Sequence, residues 1–141
     1  MAIFFKVNVS AVVFCSNKIL IQKRSSNEDV FPGLWGIPGG TVEITDINLE
    51  DALKREVLEE VDIEIKNIFL VKNNIKAKEA YGMIYLMYIA DYKSGEAKSK
   101  DGETEEVFWL DIKNIDLYEF TPFTKDLIIE SYERKTTNNS F

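Results

Sequence analysis

The chain has 141 residues, 17 of them basic and 24 acidic, for a formal net charge of −7 at neutral pH. With 45% apolar and 12% aromatic residues it can bury the core of one domain, which excludes wholesale disorder. The absence of histidine and the single cysteine, Cys15, exclude Ser-His-Asp triads, His-ligated zinc, all-cysteine metal sites and an intrachain disulfide.

In chain order, Ile3 to Phe14 is rich in Val, Ile and Phe, and Lys18 to Gln22 resumes that character, predicting a β-hairpin with Ser16, Asn17 and Lys18 at the turn. Arg24 to Asp29 reads as a polar loop. The segment Phe31 to Gly40 holds four of the seven glycines and two of the three prolines, the mark of an irregular backbone. Asn48 to Val61 is the clearest helix. Leu49, Leu53, Val57 and Val61 recur every four residues with Ala52 beside them, Asn48 suits the N-cap, and Asp51 sits where a capping box places its acid. Ile63 to Val71 predicts a strand, Asn73-Asn74 a turn, and Tyr81 to Tyr92 a long strand buried on both faces. A polar loop over Lys93 to Lys100 precedes a strand over Glu105 to Leu110 and a short connection over Asp111 to Leu117. Pro122 to Arg134 predicts an amphipathic helix docked by Leu127, Ile128 and Tyr132, and Thr136 to Phe141 a disordered tail. No repeat or linker divides the chain, so residues 1–141 are expected to form a single α/β (α+β) layered sandwich, a mixed β-sheet flanked by helices.

The acid surplus argues against a partner that is a nucleic-acid polymer, since such binders draw affinity from Lys and Arg on phosphates, but leaves room for a nucleotide held through a cation. The longest apolar stretch, Tyr81 to Ala90, is about half a membrane span, and the N-terminus does not read as a signal peptide. No membrane association and a cytoplasmic location are the expectations.

The chemical signal lies in Arg55-Glu56-Val57-Leu58-Glu59-Glu60. At about 100° per residue, Glu56, Glu59 and Glu60 fall on one arc beside the apolar stripe of Leu53 and Val57. Like charges at these spacings repel, and one arginine cannot neutralise three acids. A hard divalent cation could, because carboxylate oxygens are what magnesium prefers; a solvated acidic face is the alternative. Gly39-Gly40 precedes the N-cap by eight residues, so the fold can bring that loop against the helix. Glycines there let backbone approach a phosphate, or simply make a tight turn.

These residues resemble the Nudix hydrolases. The signature of that family is a glycine, five residues, a glutamate, seven residues, then Arg-Glu-apolar-x-Glu-Glu-x-Gly-apolar. Arg55 to Ile63 matches all but the last glycine, where Asp62 stands, and Leu34 to Gly40 with Val42-Glu43 looks like the usual lead-in. The resemblance covers residues 5 to about 130. Five residues after Gly40 comes Asp46 instead of glutamate, and eight residues instead of seven separate it from Arg55. A one-residue insertion in the loop explains this better than a strict register on Thr41 and Ile47, because it keeps the helix in phase. The early acid supports the loop in that family, so the shorter Asp46 is expected to do so less well.

The resemblance implies a Nudix fold with a loop-helix-loop motif and metal-dependent hydrolysis of a diphosphate linkage in a nucleoside triphosphate or related nucleoside diphosphate derivative. The products would be a nucleoside monophosphate and pyrophosphate. It implies Mg²⁺ or Mn²⁺ on Glu56, Glu59 and Glu60, with Arg55 orienting a glutamate and Gly39 and Gly40 shaping the phosphate side. Members often place a further ligand or base before the later strand. Glu103 is the preferred candidate, with Glu105 and Glu106 as alternatives and a solvated loop as the plain reading. Arg24 is a candidate for phosphate or base, or a surface charge. Phe31, Tyr81, Phe120 and Phe123 are candidates for stacking, with the core as their other place. The other functions left open are dinucleoside polyphosphate or nucleotide-sugar hydrolysis, for which Tyr81 resembles a tyrosine of polyphosphate-cleaving members, and nucleotide sensing without catalysis. The resemblance also admits a homodimer.

Overall fold

The computed structural model describes residues 3–100 and 102–137. Strand β1 (Phe5–Cys15) reverses through Ser16 and Asn17 into β2 (Lys18–Arg24), with Cys15 paired to Lys18 and Ser16 in the left-handed region at φ 56°. Two short strands follow in the glycine-rich segment. β3 (Trp35–Gly36) pairs with β2, and β4 (Gly39–Thr41) pairs with β1. Helix α1 (Leu49–Val61) leads to β5 (Glu64–Ala77) and β6 (Gly82–Ser94). Then come β7 (Thr104–Asp111), a 3₁₀ turn over Ile112–Leu117, and helix α2 (Thr124–Thr137).

The sheet is mixed. β1 runs parallel to β6 from Phe5↔Gly82 to Phe14↔Asp91, while β5 lies antiparallel on β6 and β7 antiparallel on β2. Alternation along β1 builds a core on each face. Val9, Ala11 and Val13 join Leu20 beneath Ala52, Leu53, Val57 and Val61 of α1. Val12 and Phe14 join Ile19, Ile21, Ile89 and Leu110 beneath Leu127 and Ile128 of α2. The four-residue apolar stripe is thus the buried face of α1, save Leu49 in the first turn, which is exposed. Asn48 caps it: its Oδ1 accepts from the Asp51 backbone N–H at 2.8 Å, and its amide donates to the Asp51 carboxylate.

Two sequence expectations are corrected. Asn73 and Asn74 do not turn but pair with Leu86 and Tyr85 inside one long β5; the reversal falls at Lys78–Tyr81, where the Lys78 N–H donates to the Tyr81 carbonyl. The asparagine that does leave ordinary strand geometry is Asn67, at φ 51°, where the pairing with β6 skips. Thr136 and Thr137 belong to α2, while 138–141 lie outside the described residues. The connection after β7 is a 3₁₀ turn that buries Ile115 and is capped by Asp111. Among the described residues no helix is long and apolar enough to cross a membrane.

Candidate active site

β4 lies between β1 and the acidic face of α1, and two close approaches put it there. A Cβ on Gly39 would sit 2.3 Å from the Val9 carbonyl oxygen, so only glycine lets β4 pair this tightly on β1. A Cβ on Gly40 would sit 2.1 Å from Glu56 Oε2, so the glycine vacates the volume that the carboxylate fills. The loop thus meets the helix as the sequence order suggested, and both glycines are needed for contact.

Arg55 organises what surrounds that contact. Its Nε and one terminal nitrogen grip Asp46 at 2.8 Å each, and that same nitrogen donates to the Thr41 carbonyl. The other terminal nitrogen donates to Glu56 at 2.9 Å and Glu59 at 3.2 Å, with Glu43 at 3.7 Å. The Arg55 hydrogen bond, then the Glu43 backbone N–H, hold the Asp46 carboxyl at about 2. Asp46 in turn, then Glu56, raise the already high pKa of Arg55. Asp46 does support the loop: it accepts from the Glu43 N–H at 2.8 Å and forms a two-pronged pair with Arg55. Ile47, the alternative register, is exposed.

The three helix acids sit in different settings. Glu56 has only 14% of its side chain exposed; burial raises its pKa, against the pull of Arg55. Glu59 is 60% exposed. Glu60 accepts from Gln22 Nε2 through one oxygen and from the Gly39 N–H at 3.4 Å through the other. All three line a cleft of about 400 Å³ with Gly39, Gly40, Thr41, Glu43 and Glu103. Gly39, Glu60 and Glu103 also wall an adjoining pocket of about 230 Å³, with Asn8, Ser10, Gln22, Arg24, Ile37 and Thr104. Among the described residues no three acids already converge as a closed ligand set. The donor chemistry fits a hard divalent cation all the same: every candidate ligand is a carboxylate, and Gly40 presents no side chain to the Glu56 carboxylate.

At the helix end, Asp62 adopts the left-handed conformation at φ 60°, and its N–H closes on the Leu58 carbonyl as a glycine would. Lys100 at 3.1 Å and Lys98 at 3.6 Å pair with its carboxylate and lower its pKa.

Of the later acids, Glu103 lines both parts of the cleft. Glu105 is otherwise engaged: it accepts from the Ser26 N–H and hydroxyl, which lower its pKa, and so staples the 25–34 loop. Glu106 is exposed on β7, paired with Lys23, and Asp101 lies outside the described residues. Arg24 walls the side pocket with its Nε donating to the Val30 carbonyl. None of the four stacking candidates lines either part. Tyr81 stacks on Phe4 at 5.6 Å, Phe120 packs against the α2-side core, and Phe31 and Phe123 are exposed at positive φ, so neither of those two is core. Asn8, Ser10, Gln22 and Thr104 went unnoticed in the sequence. Gln22 alone left a signal, an amide directly after the apolar run Ile19-Leu20-Ile21.

A family model described as NUDIX domain matches residues 4–130. The nucleoside triphosphatase NudI of Salmonella schwarzengrund is 29% identical over 117 residues, 75% of this chain and 82% of that protein. The NAD-capped RNA hydrolase NudC of Chromobacterium violaceum is 31% identical over 81 residues, 57% of this chain but 29% of that protein, so the chain spans under a third of that relative's length. Among solved structures, a MutT NUDIX hydrolase from Burkholderia pseudomallei superposes with a TM-score of 0.73 at 23% identity, over 89% of this chain and 97% of that one. The NUDIX domain of Shewanella oneidensis NrtR, solved with ADP ribose, gives 0.74 at 21% identity, over 95% and 89%. These two likenesses speak for the fold. The family match takes in β1 through the first half of α2, and with it the loop and helix whose glycines and acids share the cleft: the chain belongs to the Nudix hydrolase family.

Proposed function

We propose that this Nudix pyrophosphohydrolase cleaves the diphosphate linkage of a nucleoside triphosphate, releasing a nucleoside monophosphate and pyrophosphate, with Mg²⁺ or Mn²⁺ as cofactor. The observation that carries this reading is Gly40 set against Glu56 in a cleft shared with Glu59, Glu60 and Glu103, a place where backbone and carboxylates meet with no side chain between. Similarity to a nucleoside triphosphatase over three quarters of the chain supports the substrate class.

In this scheme Glu56, Glu59 and Glu60 would hold the cation, which when bound would neutralise phosphate charge and acidify a water. Arg55 fixes Glu56 and Glu59 from the side of Asp46, leaving the acids anchored at one edge and free at the other. The Gly39–Thr41 backbone forms the floor along which the phosphates lie. Glu103, across the cleft, accepts the proton of the attacking water. The water oxygen bonds to one phosphorus of the bridge as the bond from that phosphorus to the bridging oxygen breaks, and the other phosphate product leaves with the bridging oxygen and the bonding electrons. No histidine is required.

A panel of ribo- and deoxyribonucleoside triphosphates, ADP-ribose and dinucleoside polyphosphates, incubated with Mg²⁺ or Mn²⁺ and read by mass spectrometry, tests it. The expected result is monophosphate plus pyrophosphate from at least one triphosphate, and no turnover with EDTA. Binding of a nucleotide without release of any phosphate product would make the chain a sensor and end this reading.

A further inference from the structure

Ile19, Leu20, Ile21 and Gln22 are consecutive buried residues of β2, and Gln22 is only 9% exposed. A leucine or methionine would fill that volume with no polar atom to satisfy. Instead Gln22 directs its amide nitrogen at Glu60 while its Oε1 is buried without a hydrogen-bond partner. A half-turn of the amide would exchange its two ends, but a carboxylate only accepts, so the nitrogen must face Glu60 and the oxygen bears the cost. A buried acceptor left unmatched is unfavourable, and packing offers no reason to keep it.

We propose that Gln22 is a positioning residue for Glu60. With the Gly39 N–H on the second carboxylate oxygen, it sets the direction in which Glu60 faces the cleft. The choice of residue follows from charge. A lysine or arginine at this place would compete with a cation for the carboxylate, whereas a neutral amide orients it and adds no competing charge. β2 thereby reaches the α1 acids: Gln22 pairs with Gly36 on one side and Val107 on the other, so the sheet itself holds the bearing of Glu60. The inference rests on the proposed cation-holding role of Glu60, and the test separates the two.

Mn²⁺ is titrated into the metal-free full chain, without nucleotide, and free Mn²⁺ is followed by electron paramagnetic resonance. Wild type is compared with Gln22→Met, Gln22→Leu, Glu60→Gln and the Gln22→Met/Glu60→Gln double variant. Loss of an outer partner of a metal ligand is expected to weaken Mn²⁺ affinity about 10–100-fold in both Gln22 variants. Their metal-free thermal midpoints should stay unchanged or rise, and the double variant should bind no more weakly than Glu60→Gln alone, because Gln22 acts only through Glu60. Gln22 variants that bind within about twofold of wild type, or losses that simply add in the double variant, would overturn the proposal. So would a large drop in metal-free midpoint in both Gln22 variants, which would make the residue structural. Wild type that takes up no Mn²⁺ would overturn the cation reading itself, and this inference with it.

Discussion

Arg55 grips Asp46 through two nitrogens and reaches Glu56 and Glu59 through the third, so the two sides of one guanidinium serve different ends. The Asp46 side is structural. Its carboxyl pKa falls from 3.8 in the unfolded chain to about 2 in the fold, so the pair contributes stability that is full above the unfolded value and lost as pH falls through 2. Wild type should therefore exceed Asp46→Asn in thermal midpoint by a steady margin from pH 5 to 7, and the margin should shrink between pH 4 and 2. A margin that stays constant down to pH 2 would show that Asp46 does not carry it. The Glu59 side belongs to the proposed cation site. That side chain is 60% exposed and meets Arg55 at the surface, so Glu59→Gln should leave the midpoint nearly unchanged while turnover falls by about 10²–10⁴-fold. Near-normal turnover in that variant, measured with saturating metal, would remove Glu59 from the site.

At the scale of elements, the β4 loop and α1 form one unit whose two glycines are necessary for different reasons. An added methyl at Gly39 meets backbone, the Val9 carbonyl and Ser10 Cα, whereas at Gly40 the three atoms it meets most closely all belong to the far end of Glu56. Backbone cannot step aside without breaking the β1–β4 pairing, but a carboxylate can swing. Gly39→Ala should therefore lower the thermal midpoint markedly, and Gly40→Ala should leave it near wild type while turnover drops by at least tenfold. Equal effects of the two substitutions on stability would contradict this division. The sequence made α1 legible because a helix announces itself locally, through a four-residue stripe and a cap. It showed the first half of β5 but concealed its length, because that length is set by the partner strand. Asn73 and Asn74 carry turn chemistry, yet their pairing with Leu86 and Tyr85 outweighs local preference, and the reversal waits until Ala77 has met Gly82. The side pocket was hidden for a related reason, since Asn8, Ser10, Gln22 and Thr104 come from three strands and converge only once the sheet exists.

The whole molecule is a sheet with the candidate site on one face and a brace on the other. α1 carries the acids over the core of Val9, Ala11 and Leu20, while α2 closes the opposite core of Val12, Phe14 and Ile21. Among the described residues, the most buried ionic fastener of the brace is the Lys135–Asp91 pair. Lys135, 3% exposed, places its ammonium 2.6 Å from Asp91 and 5.3 Å from the centre of the Phe14 ring, while Asn67 donates to the other Asp91 oxygen. A lysine buried this far is held by its partners, and its removal leaves Asp91 with less compensation at the edge of the core. Asp91 retains some access to water, which keeps the penalty below that of a fully buried pair. Lys135→Met preserves the aliphatic stem and deletes the charge, so it should cost about 1–3 kcal/mol, or several degrees of midpoint. Because the fastener sits across the sheet from the acids, kcat/KM at 25 °C should stay within about twofold of wild type. Thermal melts and steady-state kinetics on the same preparation decide it: a stable variant with impaired turnover would mean that the α2 face takes part in the chemistry, and the division of labour between the two faces would have to be abandoned.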